Sequence, residues 1–304
     1  MRPGNCHHPR PMAAAPRPRR SVLFLPGNNA RAHEKARGLP ADALIFDLED
    51  SVAPDAKAAA RAQIAASLNA GGYGKRELIL RVNGAQTRWQ DDDLRFAATL
   101  PIAAVLLPKV TGADDVRAAE AALARPGTKP PPALWCMMEV PLAFLRADAI
   151  AAASPRLAAL VMGTEDLGKD LRTQVKPDRA PLVTAMQLCV LAARAHGLDP
   201  LDSVLPDFKN REAFAAACRQ GRDFGFAGKT LIHPDQISPA NTAFSPSAAE
   251  LAAAQRVVDA FASARAEGRS VASLDGRMVE HLHAAEAQQL LDLAAAIAAL
   301  DAAP

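Results

Sequence analysis

Residues 43–54 read ALIFDLEDSVAP, an apolar run that meets three carboxylates and then a proline. The first four residues have the composition of a buried strand. Asp47, Glu49 and Asp50 follow at once. Carboxylates this close repel one another, and each loses solvation on burial. Positive charge is therefore expected where this strand ends.

Working outward, similar apolar runs lie at 21–25, 77–82, 103–107, 133–138, 158–162, 203–205 and 229–232. Ala-, Arg- and Glu-rich stretches of helical character separate them, at 30–37, 55–69, 113–124 and 184–196 among others. Near-continuous apolar strands alternating with helices predict a parallel sheet covered on both faces. Eight such units over roughly 215 residues match an α/β fold of the (β/α)8 TIM-barrel type. A doubly wound sheet would carry a G-x-G-x-x-G turn after its first strand, and residues 25–36 read LPGNNARAHEKA instead. The barrel is expected over residues 20–239. Two Ala-rich helices at 247–267 and 278–300 fall outside the barrel count, so residues 240–304 are read as a C-terminal helical extension, a lid. Residues 1–19, rich in Pro and Arg and without an acidic residue, read as a disordered tail.

Composition narrows the function classes. The net charge of +2 and 4% aromatic content give neither an electrostatic footprint nor stacking platforms for nucleic acid. No apolar run reaches the ~18 residues that a membrane span requires. The four cysteines show no metal-ligand spacing and make a poor disulfide framework for 304 residues, which points to a reduced, cytoplasmic setting.

In a barrel of this kind the working groups collect at the C-terminal ends of the strands. Here those ends carry Asp47, Glu49 and Asp50; Arg81 and Asn83; Lys109; Glu139; Glu165 and Asp166; Asp207; and His233. Glu139 and Asp166 arrive on adjacent strands, and two carboxylates with open positions between them suit Mg²⁺. Arg81 and Lys109 are the opposing cations, Arg81 with a planar fork for a substrate carboxylate. Asp47 and Glu49 are expected to orient these cations and bound water.

Eight motifs now stand in order: RSVLFLPGNN, FDLEDSVAP, LRVNG, LLPKV, MMEVP, GTEDLGKDL, GKTLIHP and DGRMVE. Together they resemble the citrate lyase β-subunit-like family, within the malyl-CoA and citramalyl-CoA lyases of the HpcH/HpaI aldolase superfamily. The resemblance implies a (β/α)8 barrel in a homotrimer or hexamer, each lid reaching a neighbour's site. It implies Glu139 and Asp166 as Mg²⁺ ligands and Arg81 on substrate oxygens. Phe24 and Lys35 would line the path of coenzyme A, and Ile232 and His233 would lie beside its pantetheine arm. Lys109 and Glu139 complete the substrate contacts. The family's lid acid/base is an Asp, and here Glu280 stands in its place.

The expected activity is Mg²⁺-dependent cleavage of a 3-hydroxyacyl-CoA, such as citramalyl-CoA or malyl-CoA, to acetyl-CoA and a 2-oxo acid. Arg81, Glu280, Asp47 and Glu49 are its catalytic candidates. Three alternatives stay open: a malyl-CoA-type thioesterase, an aldolase acting on free 2-oxo acids, and a citrate lyase β-subunit working with an acyl-carrier partner.

Overall fold

The computed structural model describes residues 16–124, 131–174 and 176–302. In chain order the elements are β1 (Ser21–Pro26), α1 (Ala30–Ala36), β2 (Ala43–Asp47), α2 (Lys57–Ala70), β3 (Glu77–Arg81), α3 (Gln90–Ala97), β4 (Ala104–Leu107), α4 (Ala113–Leu123) and β5 (Ala133–Met138). There follow α5 (Pro141–Leu145), α6 (Ala147–Ala151), β6 (Leu157–Met162), α7 (Thr164–Asp170), α8 (Val183–Ala195), β7 (Asp199–Asp202), α9 (Arg211–Asp223), β8 (Gly228–Leu231) and α10 (Ile237–Phe244). The chain ends with α11 (Ala248–Ala266), the hairpin β9 (Ala272–Leu274) and β10 (Arg277–Val279), and α12 (His281–Asp301). No helix among the described residues is long and apolar enough to cross a membrane.

Strands β1 to β8 pair in sequence order, all parallel, and β8 returns to β1, so the sheet closes. Alternation along each strand divides the apolar residues into two sets. One set fills the barrel and includes Val22, Ile45, Ile79, Leu106, Trp135, Met137, Val161 and Leu201. The other, with Leu23, Leu44, Phe46, Leu80, Cys136 and Leu160, packs beneath the helices. The parity that points Ile45, Ile79 and Met137 inward also points Asp47, Arg81 and Glu139 inward, one step nearer the mouth.

Charge closes the opposite end. Arg19 pairs with Glu77 at 2.8 Å and Asp199 at 2.6 Å, and its guanidinium lies over the Trp135 ring at 4.9 Å. Arg20 pairs with buried Asp42 at 2.8 Å. Residue 19 is thus fixed within the barrel, whereas residues 1–15 of the expected tail lie outside the described residues.

The seventh strand differs from its expected place at 203–205. It runs Asp199–Asp202, reading DPLD, which lacks the apolar signature because its acids are neutralised by partners distant in sequence. Asp202 is fully buried between Arg179 at 2.7 Å and Lys229 at 2.8 Å, and both cations outweigh the desolvation that would otherwise raise its carboxyl.

Two compact units emerge, one containing Arg19–Phe244 and one built on the chain from Ser245. The expected boundary at 239/240 falls inside α10, whose Ile237, Ala240 and Phe244 are buried in the barrel's outer core. In the second unit, Ser247 caps α11 by accepting from Glu250 N at 3.2 Å. Phe261, Ala264, Ala272 and Val279 form this unit's own small core.

Replacing Asp202 with Asn removes the countercharge from two buried cations. Loss of one partner from a buried pair costs about 3–5 kcal/mol, so urea denaturation of Asp202→Asn should show a stability loss of that size.

Candidate functional site

The mouth of the barrel is built from the ends of β2 to β6. Gly27, after β1, lets the chain approach the second strand: its N–H donates to Asp47 O at 2.9 Å, and an added Cβ would lie 2.4 Å from that oxygen. Asp47 and Arg81 are register partners and meet fork to fork, Nε to Oδ1 at 2.6 Å and Nη2 to Oδ2 at 2.7 Å. The Arg81 guanidinium also lies over the Phe24 ring at 4.8 Å. Burial would raise the Asp47 carboxyl, but Arg81 outweighs it and holds the group below the usual carboxylate range.

The third Arg81 nitrogen, Nη1, lies 2.9 Å from Glu49 Oε2 and 3.8 Å from Asp50. Although buried, Glu49 Oε2 has no partner in hydrogen-bonding geometry, and Oε1 meets the Lys109 ammonium. Burial pushes the Glu49 carboxyl up more strongly than Arg81 and Lys109 pull it down. The loop carrying these acids is held from below by Lys57, which donates to Leu48 O at 2.7 Å and Glu49 O at 2.8 Å. Asn83 donates to Leu48 O at 3.1 Å, and is itself gripped by Asp93 at 2.6 Å.

Lys109 takes a left-handed backbone conformation, φ 51°. Its N–H donates to Glu139 Oε1 at 2.7 Å, while its ammonium lies 3.1 Å from Asp166 Oδ2 and 3.7 Å from Asp50. One residue therefore touches both carboxylates expected to bind metal. Glu139 is 2% exposed, and burial pushes its carboxyl up to about 7 against the pull of Lys109. The space it occupies exists because residue 163 is glycine: a Cβ there would sit 2.6 Å from Glu139 Cβ and 2.8 Å from Oε2. Beyond the next two strands, the hydroxyls of Thr164, at the start of α7, and Ser203, just after β7, lie 3.0 Å apart.

The structure thus brings Phe24, Asp47, Glu49, Arg81, Lys109, Glu139 and Asp166 into one cluster. Lys35 is exposed on the last turn of α1. Ile232 is 41% exposed, and His233 stacks on Phe208 at 4.5 Å while its Nδ1 accepts from Asp235 N at 3.2 Å. Glu280 belongs to the second unit, exposed at the N-cap of α12, and its N–H donates to His283 Nδ1 at 3.0 Å. Sequence reasoning overlooked Lys57, Asp93 and Gly163. Only the glycine had a local signal, as the residue between an apolar strand and the acidic start of a helix.

When all are ionised, Asp47, Glu49, Asp50, Glu139 and Asp166 face Arg81, Lys109 and Lys57, an excess of two negative charges. Nearby Asp93 is balanced by Arg61 at 2.7 Å. Among the described residues no three His, Cys, Asp or Glu side chains are arranged to hold a metal ion by themselves.

Comparison with known proteins gives the family of the chain. The model of the HpcH/HpaI aldolase/citrate lyase family matches residues 20–234. The chain belongs to that family. Within it, the chain is 49% identical over 291 residues to a (3S)-malyl-CoA thioesterase of Cereibacter sphaeroides, covering 96% of this chain and 100% of the relative. It is 38% identical to a citrate lyase subunit beta of Escherichia coli, covering 87% of this chain and 89% of the other. The crystal structure of CitE from Mycobacterium tuberculosis in complex with magnesium, acetoacetate and coenzyme A superposes with a TM-score of 0.71 at 30% identity, covering 90% of this chain and 97% of that one. The barrel and the family resemblance read from the sequence therefore hold.

The raised Glu139 carboxyl has a consequence for the metal-free protein. The fold favours its protonated form, so its contribution to stability is full below the ordinary value of 4.5 and is lost as pH rises through about 7. In chelator, Glu139→Gln should therefore gain in melting temperature over the wild type between pH 5 and pH 8. Thermal unfolding across that range measures the difference.

Proposed function

We propose that this protein is a Mg²⁺-dependent enzyme that hydrolyses the thioester of a malyl-CoA-type substrate, a 3-hydroxyacyl-CoA with a second carboxylate. The observation that carries the reading is the partly buried charge cluster at the barrel mouth, whose acids, when all are ionised, outnumber its cations by two, the charge of one divalent cation. Full-length similarity to a thioesterase supports hydrolysis over carbon–carbon cleavage, the outcome expected first from the sequence.

The residues present fit Mg²⁺. Glu139 is a carboxylate kept from water with its charge poorly compensated, and Asp166 is a second oxygen ligand in the first turn of α7, the helix that follows the next strand; substrate oxygens and water would complete the shell. We assign Glu139 and Asp166 as the residues that would hold the ion. Once bound, it would withdraw electron density from the substrate oxygens it touches.

The remaining steps fall to the chain. Arg81, immobilised by Asp47 and the Phe24 face, would present donors to the substrate's carboxyl and carbonyl oxygens and stabilise charge developing there. Glu49, with one buried oxygen lacking a hydrogen bond and a raised carboxyl, would take the proton of the attacking water. Water adds to the thioester carbon, the carbon–sulfur bond breaks, and the proton passes to the departing sulfur. Lys35 would meet the phosphates of coenzyme A, and Ile232 and His233 would flank its arm. Glu280 is the further acid/base that the C-terminal unit, acting as a lid, would supply to a neighbouring protomer of a cytoplasmic homotrimer or hexamer.

A second reading, retro-aldol cleavage to acetyl-CoA and a 2-oxo acid, draws support from the similarity to citrate lyase subunit beta. Malyl-CoA should yield free CoA and malate with Mg²⁺ and neither without it. Glyoxylate and acetyl-CoA as the products would favour the lyase. Glu139→Ala should lose kcat/KM by at least about 10³-fold. Arg81→Lys, which keeps the charge but loses the fork, should lose about 10²-fold. Full activity in Glu139→Ala would contradict the assignment.

A further inference from the structure

We propose that the Lys109 ammonium is the internal counter-ion of Asp166 in the metal-free enzyme, and that it must leave Asp166 when a divalent cation binds. This rests on the reading of Glu139 and Asp166 as the metal's ligands and adds an exchange of two cations on one carboxylate.

Three observations carry the exchange. The ammonium lies 3.1 Å from Asp166 Oδ2, contacts Glu49 and lies 3.7 Å from Asp50, so it rests amid the carboxylates at the mouth. A second cation on that oxygen would face a like charge at contact distance, which favours departure of the mobile one. Lys109 is able to go and Arg81 is not: the Lys109 side chain is 40% exposed on a flexible stem, whereas the Arg81 side chain is 9% exposed and held fork to fork by Asp47. The Lys109 backbone stays behind, because its N–H is committed to Glu139 Oε1 at 2.7 Å. Glu139 thus keeps its orientation while Asp166 changes partner.

The test uses the full-length protein and Mg²⁺ alone. Calorimetric titration should show Lys109→Met binding Mg²⁺ roughly three- to tenfold more tightly than the wild type, the size of a partly exposed ion pair. Amine acylation followed by peptide mass spectrometry should show Lys109 of the wild type labelled several-fold faster at saturating Mg²⁺, with exposed Lys209 as the internal reference. Repulsion without displacement would tighten binding in the variant and leave the labelling rate unchanged, which overturns the exchange. Unaltered or weaker affinity in Lys109→Met overturns it as well. Should that variant fail to fold, the labelling of the wild type decides alone. Mg²⁺ binding by the wild type that is lost in Glu139→Ala upholds the metal reading whatever Lys109 does. A wild type that binds no Mg²⁺ removes both.

Discussion

The contact on which the rest depends is the pairing of Arg81 with Asp47. Both side chains point into the barrel at the same register level, where the last inward-facing apolar side chains give way to the mouth. Two parallel N–H···O bonds and the Phe24 face fix the guanidinium, leaving one edge directed at Glu49. Without that cation, Asp47 and Glu49 would be buried like charges within two residues of each other. With it, the strand can run straight into an acidic loop. The same pairing makes Arg81 a rigid donor, which a site built to stabilise developing charge requires.

Around this fixed pair the site is graded in mobility. Arg81 and Glu139 are nearly enclosed, Asp166 is a third exposed, and Lys109 is more open still. Enclosure raises the free energy of the Glu139 carboxylate and so its readiness to accept a cation. Openness lets Lys109 serve as a replaceable partner. Gly163 makes the enclosure possible, since even a methyl group at that position would collide with Glu139.

Much of this was legible in the residues. Seven of the eight barrel strands announced themselves as apolar runs, and the acids and bases at their ends fell on one rim because parallel strands end together. β7 was illegible because half of it is Asp, and its burial depends on Arg179 and Lys229, more than twenty positions away. For the same reason Lys57 and the Asn83–Asp93 brace went unread: each is a single polar residue in a helix or loop whose meaning lies in a carbonyl or carboxylate met only after folding. The short hairpin β9–β10 was hidden in a polar stretch that reads as a linker.

The Arg19 pairing with Glu77 and Asp199 carries one more implication. It stoppers the barrel at the end away from the acids, above which Trp135 and its neighbours fill the interior. The vessel is a cup and not a pipe. Whatever enters at the mouth therefore has to leave by the way it came.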